Sequence, residues 1–182
     1  MDSLLPQRGP RPFPTDRVAM LGHSEGGGSA IVAASRDQRI RGAINWDGTI
    51  QGSPDFSGLT KSQPVMFFYH DFGNPAAGDP TWLAMWPQIL AAKLIVRVGN
   101  TTHQTFSDVP TLLEAAGQST KPLADVLGTI DPAQMVRIVI AYTTEWMNGA
   151  FAGKEGGALL KGQEPDKFPE VSITLRANFQ DM

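Results

Sequence analysis

The stretch Gly22-His23-Ser24-Glu25-Gly26-Gly27-Gly28 constrains the fold of this chain more than any other. It fits G-x-S-x-G, and its flanks carry more weight than the pattern. Arg17–Leu21 (RVAML) ahead of it is short, apolar and bounded by turn residues, which reads as a buried strand. Ser29–Ser35 (SAIVAAS) behind it is Ala-rich and suits a helix packed closely on a sheet. A serine at so sharp a strand-to-helix turn sits on a strained bend that lifts its hydroxyl above the sheet. Gly22 and Gly26, two before and two after, would let strand and helix approach. The N–H of Glu25 then points from the helix start at a developing oxyanion. The rival reading is a phosphate-cradling loop, but G-x-x-x-x-G-K-[ST] is absent and no acidic ribose ligand is evident.

The same punctuation continues along the chain. Gly42–Trp46 (GAINW), Pro64–Tyr69 (PVMFFY) and Lys93–Val98 (KLIVRV) read as further strands, with Pro64 confined to a first position. Thr81–Ala92, opened by Asp79-Pro80, reads as a helix. Asp131–Met147 has Asp at the N-cap, Pro in the first turn, and Met135, Val136, Val139, Ile140 and Trp146 at a 3.6-residue period. Val171–Leu175 is a late strand or an ordered arm. Short apolar strands alternating with helices imply an α/β domain with a parallel sheet, its strands adjacent in chain order and Arg17–Leu21 at an edge. At 182 residues one domain is expected. Residues 1–16, with four prolines, would be an extended lead-in, and 149–182 a loop-rich tail.

A serine nucleophile needs a base, and the base needs an orienting carboxylate. The chain has three histidines. His103 follows the fourth strand, downstream of every candidate acid, as the Ser, acid, His order of this fold requires. His70 is its competitor, and His23, beside the nucleophile, is expected to make a structural hydrogen bond. Asp47 ends the second strand and Asp71 the third. The later position is the commoner source of the acid, which on residues alone favours Asp71 over Asp47; Asp55 and Asp108 leave no obvious strand.

The absence of cysteine excludes disulfides, a thiol nucleophile and thiolate zinc sites. With 15 Lys and Arg against 18 Asp and Glu, there is no basic field for nucleic acid or an anionic membrane. No window approaches the ~18 apolar residues of a membrane span. The polar, Pro-rich start has no apolar stretch of signal-peptide length, so the sequence assigns no compartment.

The run GHSEGGGSAIVAASRDQRIRGAINWDG resembles the platelet-activating-factor acetylhydrolase family of α/β-hydrolases. The likeness continues through Pro64-Val65-Met66-Phe67-Phe68 and His103-Gln104-Thr105-Phe106-Ser107-Asp108, and covers about Arg17 to Asp108. The resemblance implies a triad of Ser24, Asp47 and His103, and so overturns the preference for Asp71. It implies a serine esterase acting through an acyl-enzyme on a phospholipid with a short or oxidised sn-2 acyl group, with no metal or organic cofactor. Trp46, Phe72, Trp82 and Trp86 would line an apolar acyl pocket, core packing being the alternative for each. Two other outcomes stay open: a non-catalytic hydrolase remnant acting as an interaction protein, and a polyester or small-ester hydrolase on the same fold. The chain resembles a C-terminal portion, with the earlier strands and the loop carrying the second oxyanion donor outside it. Three expectations follow: a formed triad, weak turnover, and self-association through the uncovered sheet edge.

Overall fold

The computed structural model describes residues 14–52, 55–59, 61–71, 78–154 and 156–179. Its frame is a five-stranded sheet of β1 (Val18–His23), β2 (Ile40–Trp46), β3 (Val65–His70), β4 (Lys93–Val98) and β5 (Val171–Ala177), in that spatial order. The first four are parallel, so their C-terminal ends share one rim. β5 runs antiparallel to β4, which makes the sheet mixed rather than parallel. The reversal follows from the path of the chain. After the last helix, residues 156–170 return to the rim, where Gly99 N–H donates to Glu170 O at 2.7 Å, and β5 can only run back down.

The period of two in the strands decides which helices cover which face. Ile44, Met66, Phe68, Leu94 and Val96 point to one side and pack with Met135, Ile138, Tyr142 and Trp146 of α5 (Pro132–Ala152). Ala43, Val65, Phe67, Tyr69 and Ile95 point to the other and pack with Ile31 and Ala34 of α1 (Glu25–Ala34) and with Trp82 and Met85 of α2 (Pro80–Met85). Buried on both faces, β3 is apolar almost throughout. By contrast β1 is the sheet edge, with Met20 36% and Leu21 44% exposed.

Several boundaries differ from the sequence reading. The helix expected over Thr81–Ala92 ends at Met85 and gives way to a 3₁₀ turn at Trp86–Gln88. Pro87 has no N–H with which to continue the ladder. Buried Lys93 ties the turn to β4, its ammonium donating to Trp86 O, which also accepts from Ile89 N–H, and, at 2.8 Å, to Ile89 O. α5 runs five residues past Met147 and closes on Gly153 in the left-handed region (φ 62°). The tail from 149 therefore begins as helix and contains β5. Helices α3 (Val109–Ala115) and α4 (Ala124–Leu127) were not foreseen. Most of the expected lead-in, residues 1–13, lies outside the described residues. Among the described residues no helix is long and apolar enough to cross a membrane.

Candidate active site

Three turns at the rim bring the chemistry together. In the first, β1 passes into α1 through Ser24, a non-glycine residue at φ 58°. Such a conformation persists only where the surroundings over-determine it. Here they do: a Cβ on Gly22 would lie 2.5 Å from Gly26 C, one on Gly27 2.3 Å from Asn45 Oδ1, and one on Gly28 2.6 Å from Thr49 O. Gly26 itself has open space around it, so the close approach rests on Gly22, Gly27 and Gly28 instead. Glu25 is the first residue of α1, in the turn whose N–H groups lack partners one helical turn back.

The second turn leaves β2 at Asp47 (φ 57°) and Gly48. Buried Asn45 closes it, donating to Gly48 O and accepting from Gly48 N–H, each at 2.7 Å. Trp82 Nε1–H donates to the same Gly48 carbonyl at 2.7 Å. A Cβ on Gly48 would come 1.9 Å from Ser24 O, so the first two turns are packed backbone against backbone.

The third turn, Gly99–Phe106, is held by side chains. Thr102 N–H donates to Thr105 Oγ1 at 2.8 Å, Thr105 Oγ1–H donates to Leu127 O at 2.7 Å, and the Thr102 hydroxyl donates to Val126 O. The Asn100 carbonyl accepts from Thr129 and Ile130. Asp71 accepts from Asn100 N–H at 3.3 Å and pairs with Arg97 at 3.3 Å. It therefore steadies this loop.

These turns bring Ser24 Oγ to 2.9 Å from His103 Nε2, and His103 Nδ1 to 2.6 Å from Asp47 Oδ2. A carboxylate can only accept, so His103 carries its proton on Nδ1 and leaves Nε2 to accept from the serine. His23 Nε2–H donates to the His103 carbonyl at 2.9 Å, and its ring lies 4.7 Å from the His103 ring. Burial pushes the His23 imidazole below its ordinary value, against that hydrogen bond. His70 adds a contact the sequence reading did not assign: its Nδ1 lies 2.7 Å from the same Asp47 Oδ2, and its backbone N–H donates to Asp47 Oδ1 at 3.1 Å. Burial alone would raise the Asp47 carboxyl. The hydrogen bonds from His70 and His103 together outweigh it and hold the group below the usual carboxylate range.

Ser24, Asp47, His70 and His103 open onto a cleft of about 590 Å³, whose walls include Glu25, Thr49, Gln51, Tyr69, Asp79 and Trp82. Of the aromatic candidates only Trp82 is among its walls. Trp46 packs on the core beneath α5, Trp86 on the opposite core with its ring over Lys93, and Phe72 lies outside the described residues. Among the described residues, Asp47, His70 and His103 are also the group whose donor atoms, within 4.8 Å of one another, could hold a metal ion. Of their polar atoms, Asp47 Oδ2 and the Nδ1 of His70 and of His103 are engaged in hydrogen bonds to one another. The signal that could have found Asn45 is a polar side chain ending an apolar strand three residues before a glycine.

Comparison with known proteins places the chain among esterase relatives. The family model described as platelet-activating factor acetylhydrolase, isoform II, matches residues 12–152. A probable 1-alkyl-2-acetylglycerophosphocholine esterase of Arthroderma benhamiae is 33% identical over 171 residues, covering 87% of this chain and 43% of that protein. The solved ferulic acid esterase of Streptomyces cinnamoneus superposes with a TM-score of 0.74 at 28% identity, over 91% of this chain and 49% of that one. The chain thus spans less than half the length of that curated relative and about half of the solved esterase.

Proposed function

The chain belongs to the platelet-activating factor acetylhydrolase isoform II family, and from that premise we propose that it carries the nucleophile, base and acid of a serine ester hydrolase. The observation that carries the reading is the relay from Ser24 Oγ through His103 to buried Asp47, at 2.9 and 2.6 Å, opening onto the cleft. Ser24 Oγ attacks the ester carbonyl carbon while His103 Nε2 takes its proton. Asp47 holds the ring in that tautomer and balances the imidazolium. The Glu25 N–H faces the developing oxyanion. Collapse breaks the bond to the alcohol, which leaves with the proton from His103. Water then repeats the cycle on the acyl-enzyme.

The proposed substrate is a glycerophospholipid with a short or oxidised sn-2 acyl group. The name of the Arthroderma relative and the family favour it. A smaller aryl ester is the second reading, favoured by the ferulic acid esterase likeness. A fluorophosphonate should label wild-type protein stoichiometrically and leave Ser24→Ala unlabelled. Full labelling of Ser24→Ala would overturn the nucleophile, and no labelling of the wild type would favour a non-catalytic remnant. Relative kcat/KM on a 2-acetyl phosphocholine and on a feruloyl ester separates the two substrate readings.

A further inference from the structure

Asp47 faces two imidazoles, and the relay above uses one. Its Oδ2 accepts from His103 Nδ1 at 2.6 Å and from His70 Nδ1 at 2.7 Å. Each ring must carry its Nδ1 proton to make that bond, whatever the ring's charge. The rings stand edge to face with centroids 6.4 Å apart, both part-exposed to the cleft. The backbone fixes this arrangement. Asp47 N–H still donates to Phe68 O at 2.8 Å, the last rung between β2 and β3, and then the Asp47 carboxylate takes the place of a strand carbonyl by accepting from His70 N–H.

We propose that His70 is a positioning residue and the proton sensor of the site. As a neutral imidazole it anchors the Asp47 carboxylate for His103; as an imidazolium it claims that carboxylate's charge. The inference rests on the ester-hydrolase reading. When Ser24 attacks, His103 must become an imidazolium beside Asp47. With His70 neutral, the full negative charge of Asp47 balances it. With His70 protonated, two like charges share one carboxylate, and repulsion across 6.4 Å at an effective dielectric of 20–40 slows the step by about tenfold or more. Other charges face His70 as well. Glu25 of α1 and Asp79 ahead of α2 line the same cleft, His23 lies behind His103, and Asp71 follows on the chain, paired with Arg97 of β4. These shift the whole profile but do not split it, because none shares Asp47 Oδ2.

The test is a pH profile of kcat/KM on wild type, His70→Asn and His70→Ala, with low-field proton NMR of the unliganded proteins. An Asn side chain can donate to Asp47 as Nδ1–H does but cannot titrate. The wild-type acid limb should fall in two steps, the first of about tenfold, and that of His70→Asn in one. His70→Ala should lose about tenfold at the alkaline plateau, and Asn should recover part of that loss. The wild type should show two low-field Nδ1–H resonances and His70→Asn one. A two-step limb persisting in His70→Asn, or a single low-field resonance in the wild type, would overturn the proposal. If the wild type neither hydrolyses esters nor reacts with fluorophosphonate, the hydrolase reading fails. The resonance count then decides the shared carboxylate by itself.

Discussion

The site is assembled in two different ways on its two sides. The Ser24 and Asp47 turns meet backbone to backbone, through glycines where a Cβ would overlap a neighbour, at 1.9 Å from Ser24 O for Gly48 and 2.6 Å from Thr49 O for Gly28. The His103 loop is tied by threonine hydroxyls and the Asp71 carboxylate to β4 and to the segment ahead of α5. At those contact positions the first construction tolerates no added atom, because backbone cannot step aside. The second is a set of separable bonds, each worth about 1 kcal/mol net. Ser24 and Asp47, the proposed nucleophile and acid, are thus set rigidly, and His103, the proposed base, is held by contacts that fail one at a time.

The joint between the two sides is the bond from His103 Nδ1 to Asp47 Oδ2, and breaking it should have the largest effect. Asp47→Asn presents an amide to His103, favours the wrong tautomer and should lower turnover by ~10⁴-fold. Far-UV circular dichroism should stay unchanged. If Asp71→Asn proves the damaging change and Asp47→Asn a mild one, the acid is misassigned.

Next comes the rigid side. Gly48→Ala forces a Cβ to within 1.9 Å of Ser24 O, so the serine turn, the acid turn or both must move. A misplacement near 1 Å costs on the order of 100-fold, read as loss of fluorophosphonate labelling rate together with a lowered Tm. Gly26→Ala is the internal control, because its Cβ would meet open space. Equal damage from both would refute the backbone-packing account.

How legible the site was in the sequence divides along the same line. Glycine spacing announces a turn with no room, so the elbow around Ser24 could be read from Gly22 through Gly28. The carboxylate that meets His103 could not be read from residues alone. Strand order pointed to Asp71, and only the family resemblance pointed to Asp47, because whether a carboxylate reaches a histidine 56 residues away depends on the backbone of a turn. Helix α5 was legible from its N-cap and period, whereas α3 and α4 were not: each is too short, at 7 and 4 residues, to show one. The aromatic candidates divide for a related reason. Trp46 and Trp82 both lie near strand exits, but the pleat turns Trp46 under α5 while α2 delivers Trp82 to the cleft.

A smaller effect is expected on the side tied by hydroxyls. Thr105→Val keeps the shape, removes a buried hydroxyl, and leaves Thr102 N–H and Leu127 O short of a partner. It should cost about 1–3 kcal/mol in chemical denaturation and roughly tenfold in kcat. KM should change little, since the cleft wall does not include Thr105.

The smallest expected effect concerns acid stability, where Asp47 and Asp37 make the contrast testable. Both carboxyls lie below their ordinary range, for different reasons. For Asp47, burial opposes the shift, and the His70 and His103 hydrogen bonds overcome it. Asp37 is held at about 2 by the Arg39 side chain and backbone N–H, on a part-exposed turn. A carboxyl whose folded value lies below its unfolded value stabilises the fold above the unfolded value, near 4, and loses that contribution as pH falls through the folded value. Acid should therefore weaken both contributions between about pH 4 and the folded values. Salt tells them apart: at ~1 M the Debye length shrinks to ~3 Å, which screens the part-exposed Asp37–Arg39 pair and leaves buried Asp47 largely unaffected. Denaturation midpoints followed from pH 6 to pH 2 should lose their salt-resistant acid slope in Asp47→Asn. Asp37→Asn should remove only a slope that high salt already erases. An Asp47 contribution that vanishes in 1 M salt would mean that the carboxylate is solvated, and that the rigid half of the site is looser than its backbone contacts require.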